Sequence, residues 1–187
     1  MWHPFLGMDG QLLAWMFGAL AVMSVLLMLR LETSGRRLRT ASAPLGLVSL
    51  GMSLSPEESS QIIGSWSDER RDEARRHLAT DYWLIPAYTT ALAILGVLAA
   101  RWFAIKGLHG MSALSVTLAW GQWFIGLLDF AEDSALLRIL QTYPEISDGM
   151  TRLTSAFSRF KVLLILMAVI ATIFVAATML VPSVTRP

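Results

Sequence analysis

Long apolar runs alternate with short charged stretches along this chain, and four of the runs approach the roughly 20 residues that a helix needs to cross a bilayer core. They occupy residues 12–31, 84–103, 111–130 and 162–181. The polar segment at residues 55–80 carries helical signals of its own. Ser55-Pro56-Glu57-Glu58 has capping-box spacing with proline at the first helical position, and Ile62, Ile63 and Trp66 then share a face. Ser67-Asp68-Glu69 reads as a second N-cap with acids in the first turn. Asp68, Glu69, Asp72 and Glu73 precede Arg70, Arg71, Arg75 and Arg76 and give several i,i+3 and i,i+4 pairs, so a charged helix is expected to run straight into the second span. The apolar stretch 41–52 is too short to cross. It is expected along the interface or tucked into the bundle mouth as a lid. The pattern predicts an all-α membrane protein, a single domain over residues 1–187. Its fold is a four-transmembrane-helix bundle with a cytoplasmic helical connection at residues 55–80.

Composition agrees with the pattern. The chain is 55% hydrophobic and 16% charged, where soluble domains carry about a quarter charged residues. A net charge of +1 gives no sign of a nucleic-acid partner, and the absence of cysteine removes disulfide and thiolate chemistry. The first run is expected to be a retained span. It lacks a basic leader, and Arg30-Leu31-Glu32 stands where a small-residue cleavage site would be.

Basic residues orient the bundle. The two connections that share a side, between spans one and two and between three and four, hold Arg30, Arg36, Arg37, Arg39, Arg70, Arg71, Arg75, Arg76, Arg138, Arg152, Arg159 and Lys161. The other side holds Arg101, Lys106 and Arg186. Twelve against three places both termini extracytoplasmic under the positive-inside rule.

Candidate chemistry gathers where the third span meets the cytoplasmic edge. Asp129, Glu132 and Asp133 stand at i, i+3 and i+4, on one helix face. Asp81, at the start of the second span, reaches the same depth, as do Arg30, Glu32, Arg159 and Lys161. Tyr88 lies seven residues beyond Asp81 on a face with Ile85 and Leu92, and Pro86 leaves the Tyr82 carbonyl without a helical donor. Gln122, Gly126, Asp129 and Asp133 make a matching stripe on the third span. Ionisable groups at the bilayer edge are costly and commonly functional. Two readings follow. The acids either form ion pairs with Arg30, Arg138, Arg159 or Lys161 that hold the bundle together, or, being close enough to share protons, they carry out acid–base chemistry. In the second reading Asp129, Glu132, Asp133 and Asp81 are the catalytic candidates. Tyr88, Gln122, Trp83, Trp123 and Phe130 are the expected substrate contacts, with Trp120 and Phe124 as further aromatic faces. The same aromatics equally suit an interfacial belt.

Other chemistries find less support. Asp129-x-x-Glu132-Asp133 offers hard oxygen ligands suited to magnesium, but the second acidic motif expected of membrane prenyltransferases is missing. His3, His77 and His109 are scattered, and no P-loop, dinucleotide fingerprint or nucleophile elbow is present. No metal and no cofactor is expected. The expected partners are membrane lipid and a hydrophobic small-molecule or lipid substrate.

Trp66, the charged helix, Asp81-Tyr82-Trp83-Leu84-Ile85-Pro86-Ala87-Tyr88 and Leu128-Asp129-Phe130-Ala131-Glu132-Asp133-Ser134-Ala135-Leu136-Leu137 together resemble a family of uncharacterised bacterial four-span membrane proteins. The likeness covers residues 55–141. It implies an aspartate–tyrosine opening to span two, Asp-x-x-Glu-Asn closing span three, and residence in a bacterial cytoplasmic membrane. This chain has Asp133 where that pattern has asparagine, which adds an acid. In kind of chemistry the acid-bearing bundle is also similar to small integral-membrane terpene cyclases, which protonate an isoprenoid alkene or epoxide. That similarity implies a protonation-initiated cyclisation, with aromatic faces around the carbocation.

Overall fold

The computed structural model describes residues 2–180 and, among them, contains helices and no strand. A 3-10 turn (Pro4–Gly7) precedes α1 (Gly10–Arg37), α2 (Leu47–Met52), α3 (Pro56–Gly64), α4 (Asp68–Ile105), α5 (His109–Thr142) and α6 (Asp148–Leu180). Among the described residues three helices, α1, α4 and α5, are long and apolar enough to cross a membrane. The fourth apolar run is helical as far as Leu180, and Val181 lies outside the described residues, as does Arg186.

Local signals set the helix starts. Asp9 Oδ1 accepts the N–H groups of Gln11 and Leu12, both at 2.9 Å, and opens α1. Ser55 Oγ accepts the Glu58 N–H at 3.2 Å, with Pro56 in the first turn. Glu58 reaches back to the Leu54 N–H at 2.8 Å, one residue before the expected partner. Ser67 caps α4, which runs unbroken through Pro86. The expected ladder of pairs along its first turns is present: Asp68–Arg71 at 2.7 Å, Asp72–Arg75 at 2.7 Å and Glu73–Arg76 at 3.0 Å.

The long helices pack in chain order, α1 on α4, α4 on α5 and α5 on α6. Gly126 permits the α4–α5 approach, since a Cβ there would stand 2.9 Å from Thr89 Cγ2. Segment 41–52 tucks in rather than lying flat. Gly46 turns the chain at φ 61°, and Leu47, Leu50 and Gly51 of α2 are buried against α6 and its neighbours. The connection at residues 55–80 belongs to the same body, because Ile62, Ile63 and Trp66 enter a core with Leu38, Leu78 and Ile139. Trp66 Nε1 donates to the Leu38 carbonyl at 2.8 Å, which satisfies its only polar atom.

At the opposite end the chain's first turn is pinned down. Arg101 donates to the carbonyls of Phe5 at 3.0 Å and Leu6 at 2.7 Å, and also to that of Met8. His3 is wholly buried between Phe5, Trp120 and Trp123. Its Nδ1 accepts the Phe5 N–H at 3.3 Å, and its Nε2 is buried without a partner. Burial holds this imidazole below its ordinary value of 6.5. The unfolded chain therefore takes up a proton first as pH falls. Docking of the turn is expected to be at full strength above pH 6.5 and to weaken as pH drops below it toward the lower folded value. Tryptophan fluorescence against pH checks this: a His3→Phe variant is expected to lose the acid-side change.

Candidate functional site

Because α6 packs on α5 and α2 and stands away from α4, a cleft of about 590 Å³ remains between α4, α5 and α6, with Met28 of α1 on its rim. Its walls are mostly aliphatic: Leu84, Leu92 and Leu95 from α4, Leu118 and Ile125 from α5, Ile165 and Val169 from α6. Asp81, Tyr88, Asp129 and Lys161 gather at one end, and Gln122 and Ser115 follow along α5. From Asp129 to Ser115 the helix rises about 21 Å at 1.5 Å per residue. Leu92 and Leu95 are each 42% exposed, so the cleft opens sideways rather than closing into a chamber. A second cavity, about 630 Å³, lies between α1, α2 and α4 and includes Glu32, Arg39 and His77. The two share Met28, Asp81 and Leu84. Asp81 thus borders both.

Lys161 organises the polar end. Its ammonium contacts Glu132 Oε2 and lies 3.4 Å from Asp129 Oδ1. The Tyr88 hydroxyl donates to Asp129 Oδ2. Ser158 Oγ donates to Glu132 Oε1 at 2.5 Å and also lies 3.0 Å from the Gly51 carbonyl. Glu132 is thereby held from both oxygens, and Asp129 is held by a hydroxyl and a charge. Asp133 is 5% exposed, with its Oδ2 buried and unpartnered. Asp81 is half-buried and has no hydrogen bond among the described residues, although it feels the charges of Lys161, Asp129 and Glu132.

Gly51 is what lets α2 reach this network. A Cβ there would fall 2.8 Å from Ser158 Oγ and 3.1 Å from Glu132 Oε1. Gly51→Ala is expected to push Ser158 off Glu132 and to lower stability by about 1–3 kcal/mol, as overpacking does. Thermal unfolding compares it with Gly149→Ala, where nothing lies within 4 Å of the added methyl.

The structure brings together part of the predicted set. Asp81, Tyr88, Gln122 and Asp129 line the cleft, Glu132 stands behind Lys161, and Asp133 is buried off the wall. Three expected substrate contacts do not reach it. Trp83 is 73% exposed, because it stands two residues, about 200° of helix turn, from Asp81. Trp123 is drawn into the His3 and Phe5 cluster. Phe130 stacks on Tyr82 at 5.4 Å, and Tyr82 meets Ser134 at 2.7 Å on the outer side. Trp120 joins Trp2, donating to its carbonyl at 2.9 Å, and Phe124 is exposed. Tyr88 is the one aromatic residue on the cleft wall among the described residues. Of the expected cationic partners, Arg30, Arg138 and Arg159 point outward and Glu32 pairs with Arg36 at 2.9 Å; Lys161 alone enters.

Ser158 and Gly51 escaped the sequence reading. A signal for Ser158 exists: Thr151, Thr154, Ser155, Ser158 and Lys161 form one stripe along α6, and its four hydroxyl residues are buried. Nothing local marks Gly51, whose importance lies in a contact across the bundle. Among the described residues no three His, Asp or Glu side chains are grouped as metal ligands, and Lys161 occupies the centre of the acids.

Among the described residues, fold and site define an all-helical protein with three helices long and apolar enough to cross a membrane and a lateral, amphipathic cleft ending in buried acids. Comparison with known families, characterised proteins and solved structures finds no match to this chain.

Proposed function

We propose that this chain is a four-span protein of a bacterial cytoplasmic membrane with both termini extracytoplasmic. In this reading it works on a hydrophobic isoprenoid or lipid by carboxylate acid–base chemistry. The topology rests on the fourth apolar run and the lysine and arginine bias. Single cysteines placed near Ser60 are expected to react with an impermeant maleimide only after the membrane is opened; labelling from outside would reverse the orientation.

The observation that carries the function is the union of an aliphatic cleft with carboxylates at one end. Such a cavity suits a ligand with a long apolar body and one polar point, and it lies within the usual size range of small-molecule sites. Asp81 is the favoured proton donor or acceptor, since it faces the cleft with no hydrogen bond to break. Asp129, held by Tyr88 and Lys161, orients the ligand. Cyclisation started by protonation stays the most concrete form of this chemistry, in keeping with the resemblance to membrane terpene cyclases. With Tyr88 as the one ring on the described wall, simple proton transfer fits better than a cascade of carbocations. The test is turnover of uncharged farnesyl- and geranylgeranyl-bearing lipids by the protein in bilayers, with Asp81→Asn beside it.

A second reading has its own support. Glu132 bonds through both oxygens to Ser158 and Lys161, which is what a structural ion pair requires. If no lipid is turned over, the chain is a non-catalytic subunit or lipid-binding module.

A further inference from the structure

Asp81 borders two cavities with different linings. On one side lies the aliphatic cleft. On the other, the cavity between α1, α2 and α4 carries a line of polar groups to the same carboxylate. Glu32 and Arg39 are exposed and stand 3.5 Å apart, where charged side chains keep their water. Half-buried His77 is next, and Asp81 follows four residues later on the same face of α4, about 6 Å along the axis. The remaining walls, Leu29, Leu31, Leu47 and Val48 among them, offer no polar side chain.

His77 is arranged to pass a proton. Its Nδ1 lies 2.7 Å from Ser34 Oγ, and the Ser34 hydroxyl gives its one hydrogen to the Leu31 carbonyl at 3.0 Å. Nδ1 then carries the ring hydrogen and donates to Ser34, which leaves Nε2 as the basic nitrogen. Nε2 makes no hydrogen bond among the described residues. Of the neighbouring acids, Asp129 is tied to Tyr88 and Lys161, and Glu132 to Ser158 and Lys161. The aliphatic cleft itself is a poor place for water.

Taking Asp81 as the proton donor of the lipid chemistry proposed above, we propose that His77 and the cavity between α1, α2 and α4 return its proton from water. When Asp81 acts, its O–H bond breaks as a C–H bond forms on the lipid. The carboxylate left behind takes a proton from Nε2 of the His77 imidazolium through one bridging water. His77, now neutral, takes up a proton from the water around Glu32 and Arg39. A proton removed from the lipid leaves through the same groups in the opposite order. The lipid thus occupies one face of Asp81 while water serves the other.

Two measurements test this. The chain has no cysteine, so Asp81→Cys gives a single thiol. With the full chain in phosphatidylcholine vesicles opened to both faces, a trimethylammonium methanethiosulfonate is expected to modify it. Val48→Trp, which fills the polar cavity, is expected to slow that reaction about tenfold, whereas Leu92→Trp in the lipid cleft leaves it unchanged. A rate unmoved by Val48→Trp, or no reaction at all, overturns the water path. For the relay, His77→Ala is expected to lower turnover of uncharged isoprenoid lipids about tenfold at saturation, with KM unchanged. His77→Gln, long enough to reach Ser34 still, is expected to fall as far. Added imidazole is expected to restore the alanine variant, and pyrazole, of the same shape but far less basic, is not. Undiminished turnover, or no difference between the two rings, removes His77 as the relay. A parent protein that turns over no lipid overturns the proposed chemistry and its relay together, while the thiol rates still decide whether water reaches position 81.

Discussion

Lys161→Met is expected to lower stability by about 3–5 kcal/mol, the range seen when one member of a buried ion pair is removed. The loss is large because the ammonium answers two carboxylates at once, Glu132 and Asp129, on residues with little access to water. Methionine keeps the length of the side chain, so packing changes little and the effect isolates the charge. A fall in melting temperature of about 10 °C is the expected readout for a chain of this size. Adding Glu132→Gln is expected to recover part of it, since the amide still meets Ser158 and no longer needs a counter-charge. Additive losses in the double variant would show that Lys161 and Glu132 are not energetically coupled, and the network would lose its centre.

Asp81→Asn carries the largest expected effect on activity, a fall on the order of 10²–10⁴, typical of removing a general acid or base. Volume is nearly conserved and Asp81 has no hydrogen bond among the described residues, so stability is expected to hold within about 0.5 kcal/mol of the parent, as for a site without special contacts. Asp133→Asn, which restores the amide of the resembled family, acts behind the wall. Removing one carboxylate from beside Asp81, Asp129 and Glu132 is expected to raise stability modestly, by about 1 kcal/mol or less, with turnover reduced far less than in Asp81→Asn. Turnover of uncharged isoprenoid lipids, measured beside melting temperature for both variants, decides which acid moves the proton. Undiminished turnover in Asp81→Asn removes that residue from the role and leaves Asp129 to be tried.

Much of this was legible before any fold was known. The long apolar helices, the caps at Ser55 and Ser67, the i,i+3 pairs of α4 and the face shared by Ile62, Ile63 and Trp66 are local, set by neighbours within two turns. Level along a helix axis is also nearly local, because each helix rises a fixed distance per residue. That is why Asp81, Asp129 and Lys161 could be placed on one level from sequence and are found at one site.

Rotation about each helix axis is another matter, and it decided the rest. Trp83, Trp123 and Phe130 face away from the cleft, because each helix turns to bury its own best face against a neighbour. Arg30, Arg138 and Arg159 lie exposed for the same reason, leaving Lys161 to the acids. Gly51 and Ser158 join the network through contacts between residues far apart in the chain, where no periodic pattern links them. The sequence by itself determined the apolar helical runs and the order of charges along each helix, since those depend on hydrogen bonds and side chains close along the backbone. It left open that α5 runs on to Thr142 and that α6 begins at Asp148. Only the tertiary structure decided which charges meet and where the cleft opens, because both depend on how α6 packs against α5 and stands apart from α4.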